Sequence, residues 1–281
     1  MSKIIKACIF DLGGTIVDRY SMIPITSLKY LFNKNRIFLP DEVIRKDMEL
    51  DKKEHIEQIM NNDNIKRQWK IMKDKEYNKD DIDQLYNQFK IIHNEYTEET
   101  MDIIPQTWRC MNELTKMGIK TGITSRFDKD YTDIVQKLLE ERGVVIDEYV
   151  YPCTKSDKSV NMIHTLMDRF DIDDPKYTMK ISDNRIGIEQ GLRANCWTLG
   201  SYRWSNYMNI KNHKAAFNID NIIVNGPTYI NYSVLKTKKE LAKKELQKTG
   251  AHFVVPTIGY LPEIVRNINN MDISLTSKYI S

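Results

Sequence analysis

With 281 residues, the chain is long for one simple domain and short for three. Its 42 Lys and Arg balance 39 Asp and Glu to a net +3, which gives no global electrostatic case for nucleic acid. Hydrophobic content of 41% with mean hydropathy of −0.52 describes a soluble globular chain, and no stretch is apolar enough to span a membrane or lead one as a signal peptide. The four cysteines, Cys8, Cys110, Cys153 and Cys196, are far apart and form no paired metal-ligand spacing, which suits a reducing cytoplasm.

The first element is an apolar run, Ile4 to Phe10, short enough for one buried strand. It stops at Asp11, followed by Gly13, Gly14 and Thr15. A carboxylate at the end of a parallel strand stands where open α/β sheets place their ligand crevice. Glycines there let the backbone turn sharply and come close to a ligand. The pattern then becomes helical: Ile25, Leu28, Leu31 and Phe32, then Asp41 onward, then a helix carrying Met48, Lys52, His55 and Ile59. Ile65, Trp69 and Met72, and then Ile82, Leu85, Phe89 and Ile92, continue it, so residues 20–100 read as an all-helical insertion.

Strand–helix alternation resumes near Ile103. A helix ending at Gly118 leads to a strand from Ile119 to Thr124, which ends at Ser125 and Arg126. A helix from Asp130 to Arg142 precedes short strand-like runs at Val144–Ile146 and Tyr149–Tyr151. After the loop 152–158 come a helix from Ser159 to Phe170 and a strand from Tyr177 to Ile181, ending at Ser182 and Asp183. A helix from Ile186 and a strand from Cys196 to Leu199 follow. Residues 201–235 show no clear period; the basic stretch Leu235 to Lys248 interleaves Glu and Leu with its lysines and reads as an exposed amphipathic helix. Gly250 to Val255 reads as a last strand and Leu261 to Ile268 as a closing helix. Helix after strand, with polar residues at strand ends, predicts a parallel α/β sheet with right-handed crossovers.

Asp11 with Gly13, Gly14 and Thr15 resembles motif one of the haloacid dehalogenase (HAD) superfamily, usually Asp-x-Asp-Gly-Thr, in which the first Asp is a nucleophile that forms an aspartyl-phosphate. The superfamily's order of sites then falls on Asp11, Ser125, a basic residue of the 155–158 loop, and Asp183. Ser125 can donate to a phosphoryl oxygen, a lysine can neutralise the transferring group, and Asp183 opposite Asp11 offers a hard oxygen site for Mg²⁺. The loop role is placed on Lys158 by its spacing to the next helix, with Lys155 as the alternative. Gly13 replaces the second Asp, which in the phosphatases protonates the leaving alkoxide.

Within the superfamily the chain resembles phosphonoacetaldehyde hydrolases (phosphonatases) from Ile9 to the final helix. The most specific match is Met48, Lys52 and His55, at spacings that would share one helix face. Cys196-Trp197-Thr198-Leu199-Gly200, Gly250-Ala251-His252-Phe253 and Thr132-Asp133-Ile134-Val135 also look like family segments. The resemblance implies a HAD-like core of residues 1–19 and 101–281 with a helical cap of 20–100. It implies a Lys52 imine with the substrate aldehyde, proton transfer by His55, and Mg²⁺ on Asp11, Asp183 and the Gly13 carbonyl. It further implies a small phosphonate as substrate and a homodimer joined through the caps. Cleavage of the C–P bond into an imine leaves an enamine, so the acid missing at Gly13 is not needed.

Four positions depart from the family, one of them Glu49, which replaces a small residue next to the active face of the cap helix. Arg126 replaces a Gly, the loop lysine replaces an Arg, and Gly187 replaces a second carboxylate four residues after Asp183. They keep two alternatives open: a HAD hydrolase of another carbonyl-bearing phosphonate or phosphate, and a weakly active or inactive binder of phosphorylated metabolites.

Overall fold

Strand β1 (Ala7–Phe10) lies inside a six-stranded sheet, with β2 (Lys120–Thr124) on one side and β4 (Thr178–Ser182) on the other. The order is β3-β2-β1-β4-β5-β6, all parallel, with β3 (Glu148–Val150), β5 (Trp197–Ser201) and β6 (Phe253–Val255) completing it. All four residues of β1 are fully buried, as expected of a strand covered on both faces. The computed structural model describes residues 4–152, 159–210 and 229–270. It contains two compact units, Met1–Ser21 with Asp102–Ser281, and Met22–Met101.

In the first unit, helices α6 (Thr107–Lys116), α7 (Lys129–Glu141), α8 (Ser159–Arg169), α9 (Arg185–Arg193), α10 (Tyr229–Gln247) and α11 (Leu261–Asn269) alternate with the strands. One face of the sheet packs Ala7, Ile9 and Val150 against Ile163, Leu166 and Met167 of α8. The apolar run at Val144–Ile146 is not a strand, and Val145 is 71% exposed. Asp147 explains where pairing starts, because its Oδ2 accepts from both the backbone N (2.8 Å) and Oγ1 (2.9 Å) of Thr121. The ladder with β2 begins one residue later, at Glu148.

The second unit is made of α1 (Met22–Lys34), α2 (Asp41–Lys46), α3 (Lys52–Asn61), α4 (Asp63–Lys73) and α5 (Lys79–Thr100), with no strand. Leu28, Leu31 and Phe32 of α1 and Leu85, Phe89 and Ile92 of α5 are buried, each series at helical spacing. Asn78 and Asp81 form a reciprocal capping box that starts α5.

The insertion leaves and re-enters the first unit at adjacent points. Val17 bridges Ile103 in antiparallel fashion, and Asp18 N donates to Asp102 O at 3.0 Å. Arg19 gives its backbone N to Asp102 Oδ1 at 3.2 Å and its Nε to Oδ2 of the same carboxylate. The outgoing segment also places three non-glycine residues at positive φ: Asp18, Tyr20 and Ser21.

Candidate active site

Sheet register sets the site. Phe10 pairs with Ile123 and with Ile181, so Asp11 stands in one row with Thr124 on β2 and Ser182 on β4. The three residues follow apolar strand positions, at the end of the sheet where backbone pairing gives way to loops. Thr124 Oγ1 lies 3.4 Å from Asp11 Oδ1, and Ser182 Oγ donates to Asp11 Oδ2. Ser125, one residue beyond Thr124, is buried, but its hydroxyl closes its own turn, accepting from Phe127 N at 3.1 Å. On β2, the residue that presents a hydroxyl to the carboxylate is therefore Thr124.

Asp183 is 1% exposed and follows Ser182 directly. Asn184 Nδ2 donates to Asp183 Oδ1 at 3.0 Å and reaches Asp11 Oδ2 at 3.5 Å. Its Oδ1 meanwhile caps α9 by accepting from Gly187 N at 3.0 Å. Both carboxylates thus converge on one amide nitrogen. The loop after β5 holds Asp183 from the other side, with Ser205 Oγ donating to its backbone O at 2.7 Å and Asn206 N to Oδ2 at 3.4 Å.

Two glycines make this arrangement possible. Gly14 has φ +73°, and a Cβ there would stand 2.5 Å from Asp183 Cγ, so motif one and Asp183 meet only through bare backbone. A Cβ at Gly187 would stand 2.6 Å from Ser182 Cβ and closer still to Asp11 Oδ2. The position read in the sequence as a lost acid is thus filled by the Ser182 hydroxyl and an Asp11 carboxylate oxygen. Gly13 differs: a Cβ there would meet only Asp18 Oδ2 and Ser21 Oγ, each at 3.8 Å. Sterics do not enforce the missing second acid.

Lys180, which the sequence reading passed over, is wholly buried. Its Nζ forms an ion pair with Asp11 Oδ1 and donates to Thr124 Oγ1 at 2.7 Å. Burial pulls the ammonium below its ordinary value, the Asp11 carboxylate opposes this, and the nearby Arg126 guanidinium lowers it further. Arg126 therefore lies within electrostatic reach of the pocket. Lys155 and Lys158 lie outside the described residues. The signal available in the sequence was a lysine in the middle of a strand that otherwise reads as buried.

Among the described residues, no three His, Cys, Asp or Glu side chains gather into a ligand cluster. The donors present are two carboxylates and the backbone of the Gly13–Gly14 turn. An all-oxygen set with two formal charges fits a hard divalent cation that keeps several waters, as Mg²⁺ does.

In the helical unit, Lys52 is the first residue of α3, behind Asp51, whose side chain caps the helix by accepting from Lys53 N. Met48 therefore lies in the turn between α2 and α3, not on a shared helix face. It meets Lys52 through its backbone, with Nζ donating to Met48 O at 2.8 Å. Lys52 is only 9% exposed. His55 is fully buried, and its Nε2 lies 2.8 Å from Ile44 O, so Nε2 carries the proton and Nδ1 the lone pair. Nδ1 has no partner among the described residues. Burial first, and then the charge of Lys52, push the His55 imidazole down to about 3. A second imidazole, His93 on α5, is pushed to about 3 by the same two causes and stacks on Phe89 with centroids 5.1 Å apart. Lys52 is thus a buried amine beside two neutral histidines.

This fold and this strand-end array place the chain in a known family: residues 8–200 match the haloacid dehalogenase-like hydrolase model, and the chain belongs to that family of hydrolases. Its curated relatives narrow the comparison. It is 27% identical over 273 residues to the phosphonoacetaldehyde hydrolase of Parabacteroides distasonis, covering 96% of this chain and 99% of that one. It is 26% identical to the bifunctional phosphonoacetaldehyde hydrolase/aminoethylphosphonate transaminase of Clostridioides difficile, where it spans 95% of its own length but 40% of the relative's. A solved structure, a phosphonoacetaldehyde hydrolase-like protein from Oleispira antarctica, shares the fold with a TM-score of 0.81 at 23% identity, over 94% of this chain and 92% of that one.

Proposed function

We propose that the protein is a Mg²⁺-dependent phosphonoacetaldehyde hydrolase that releases acetaldehyde and phosphate. The observation that carries this reading is Lys52: a buried amine beside neutral imidazoles, in a chain whose motif one lacks the acid that a phosphate-ester hydrolase uses. Only the neutral form of an amine attacks a carbonyl carbon. The amine condenses with the substrate aldehyde and expels water. His55 Nδ1, the free lone pair, takes and returns the protons of that exchange. An Asp11 oxygen then attacks phosphorus, and the C–P bonding electrons pass into the imine to give an enamine. Protonation at carbon and hydrolysis release acetaldehyde and regenerate Lys52, and a second water cleaves the aspartyl-phosphate.

Asp11, Asp183 and the Gly13 carbonyl would hold Mg²⁺, which supplies neutralising charge to the phosphoryl oxygens. Ser125, Arg126 and Lys158 are the proposed phosphate contacts, and Met48 is proposed to line the substrate end of Lys52. The protein is proposed to act in the cytoplasm as a homodimer through its helical units. Among the described residues, no helix is long and apolar enough to cross a membrane.

Borohydride reduction during turnover tests the assignment. A stable secondary amine on Lys52, found by peptide mapping, together with phosphate release supports it. Trapping without release points to a binder that no longer cleaves. Release from ordinary phosphate esters, undiminished in Lys52→Arg, replaces the assignment with a phosphatase.

A further inference from the structure

Lys180 lies two residues before Ser182 on β4, paired with Ile9 on β1, so its side chain leaves the same sheet face as Asp11, one pleat earlier. A strand advances about 3.3 Å per residue, so an extended lysine just spans the two-residue gap to the Asp11 row. Its stem needs space against α9, and Gly191 provides it: a Cβ there would stand 2.7 Å from Lys180 Cβ and 2.7 Å from Thr198 Cγ2. Gly187 and Gly191 are four apart and so share one helix face. The first makes room for the Asp11–Ser182 pair and the second for the Lys180 stem.

The two oxygens of Asp11 therefore have different neighbours. Oδ2 takes Ser182 and Asn184, and Asn184 also binds Asp183. Oδ1 takes Lys180, which is anchored a second time on Thr124. We infer that Lys180 is the positioning residue of the nucleophile, fixing Asp11 so that Oδ2 faces Asp183 and Oδ1 stays aligned for attack on phosphorus. It also gives the site a positive charge that belongs to the sheet itself and does not depend on a loop. The inference rests on the reading of Asp11 as nucleophile, not on the identity of the substrate.

Beryllium fluoride in Mg²⁺ buffer is the probe. A carboxylate oxygen displaces water from beryllium and forms a phosphoryl-like adduct, which ¹⁹F NMR reads without any turnover. The unmodified protein should form the adduct, and Asp11→Asn should not. Lys180→Met keeps the stem and removes the charge. It should weaken the adduct at least about tenfold, the loss of one charge-assisted hydrogen bond, while melting within a few degrees of the unmodified protein. A purely structural ion pair predicts the reverse, with a lowered melting temperature and undiminished adduct affinity, and that result overturns the inference. If Lys180→Met does not fold, Thr124→Val decides, since it deletes the second anchor of Nζ together with the longer 3.4 Å contact of Oγ1 with Asp11 Oδ1. An adduct weakened about threefold or more supports the inference, and an unchanged one overturns it. No adduct in the unmodified protein removes the nucleophile reading and this inference with it. An adduct without phosphonoacetaldehyde turnover removes only the substrate.

Discussion

Position 187 has room for a hydrogen atom and nothing larger. Gly187→Ala must displace Ser182 or Asp11, and overpacking of this kind costs about 1–3 kcal/mol. Because the displaced groups are the proposed nucleophile and its hydrogen-bond donor, kcat should fall about 100-fold or more, a larger loss than the drop in melting temperature would suggest. Steady-state kinetics beside calorimetry checks it. Asp183→Ala should weaken Mg²⁺ binding by at least about tenfold and leave the fold intact, read by Mg²⁺ titration of the pure protein; an unchanged titration removes Asp183 from the metal site. At this scale the positions of Asp11 and Asp183 were legible because Asp11 ends an apolar run and Asp183 follows the end of a strand flanked by helices. Thr124 and Lys180 were not, because their importance depends on register, and register is settled between strands that lie more than a hundred residues apart in the chain for β1 and β2. Only pairing shows that the β2 hydroxyl in the Asp11 row belongs to Thr124 and not to its neighbour Ser125.

Helices α3 and α5 carry the two histidines whose protonation burial opposes. Each has an ordinary value near 6.5 and a folded value of about 3, so between those limits the unfolded chain binds more protons than the folded one. Stability is therefore at its full value above about pH 6.5 and falls as the solution is acidified toward pH 3. By pH 5 the loss is on the order of 2 kcal/mol per histidine. Urea midpoints measured from pH 7.5 to pH 4.5 should fall steeply, and His93→Phe should flatten the slope by about half. An equal slope in that variant would remove His93 from the account. Helix periodicity made these elements readable from single side chains such as Leu28, Phe32, Leu85 and Phe89. It failed at Met48, where Asp51 caps α3 and restarts the helix, a local hydrogen bond that outweighs the longer apolar pattern. The strand-like reading of Val144–Ile146 failed for another reason: its apolar residues precede the ladder and do not join it.

At the scale of the chain, the acid-sensitive histidines and the strand-end site belong to different units, each with its own buried core. Proteins open in such cooperative pieces before they unfold globally. Hydrogen exchange at pH 5 should therefore show amides of α3 and α5 losing protection while those of β1 and β4 keep theirs; simultaneous loss would mean one cooperative body. The alternation of strand and helix was readable on both sides of the stretch 201–235, whereas residues 202–210 gave no period because they fold around Asp183 through Ser205 and Asn206, with a single 3₁₀ turn at Asn206–Met208. The clasp of Asp102 on Asp18 and Arg19 has a consequence of another kind. From the sheet's side, the segment Met22–Met101 begins and ends at nearly the same point, so the strands meet it as they would meet a tight turn. The cost of joining those two ends grows only slowly with what is strung between them. An ancestor carrying a short loop at this place, and a descendant carrying a different helical insert, would present the same boundary to β1. Segments of other lengths strung between the same two ends would thus leave the surroundings of Asp11 as they are.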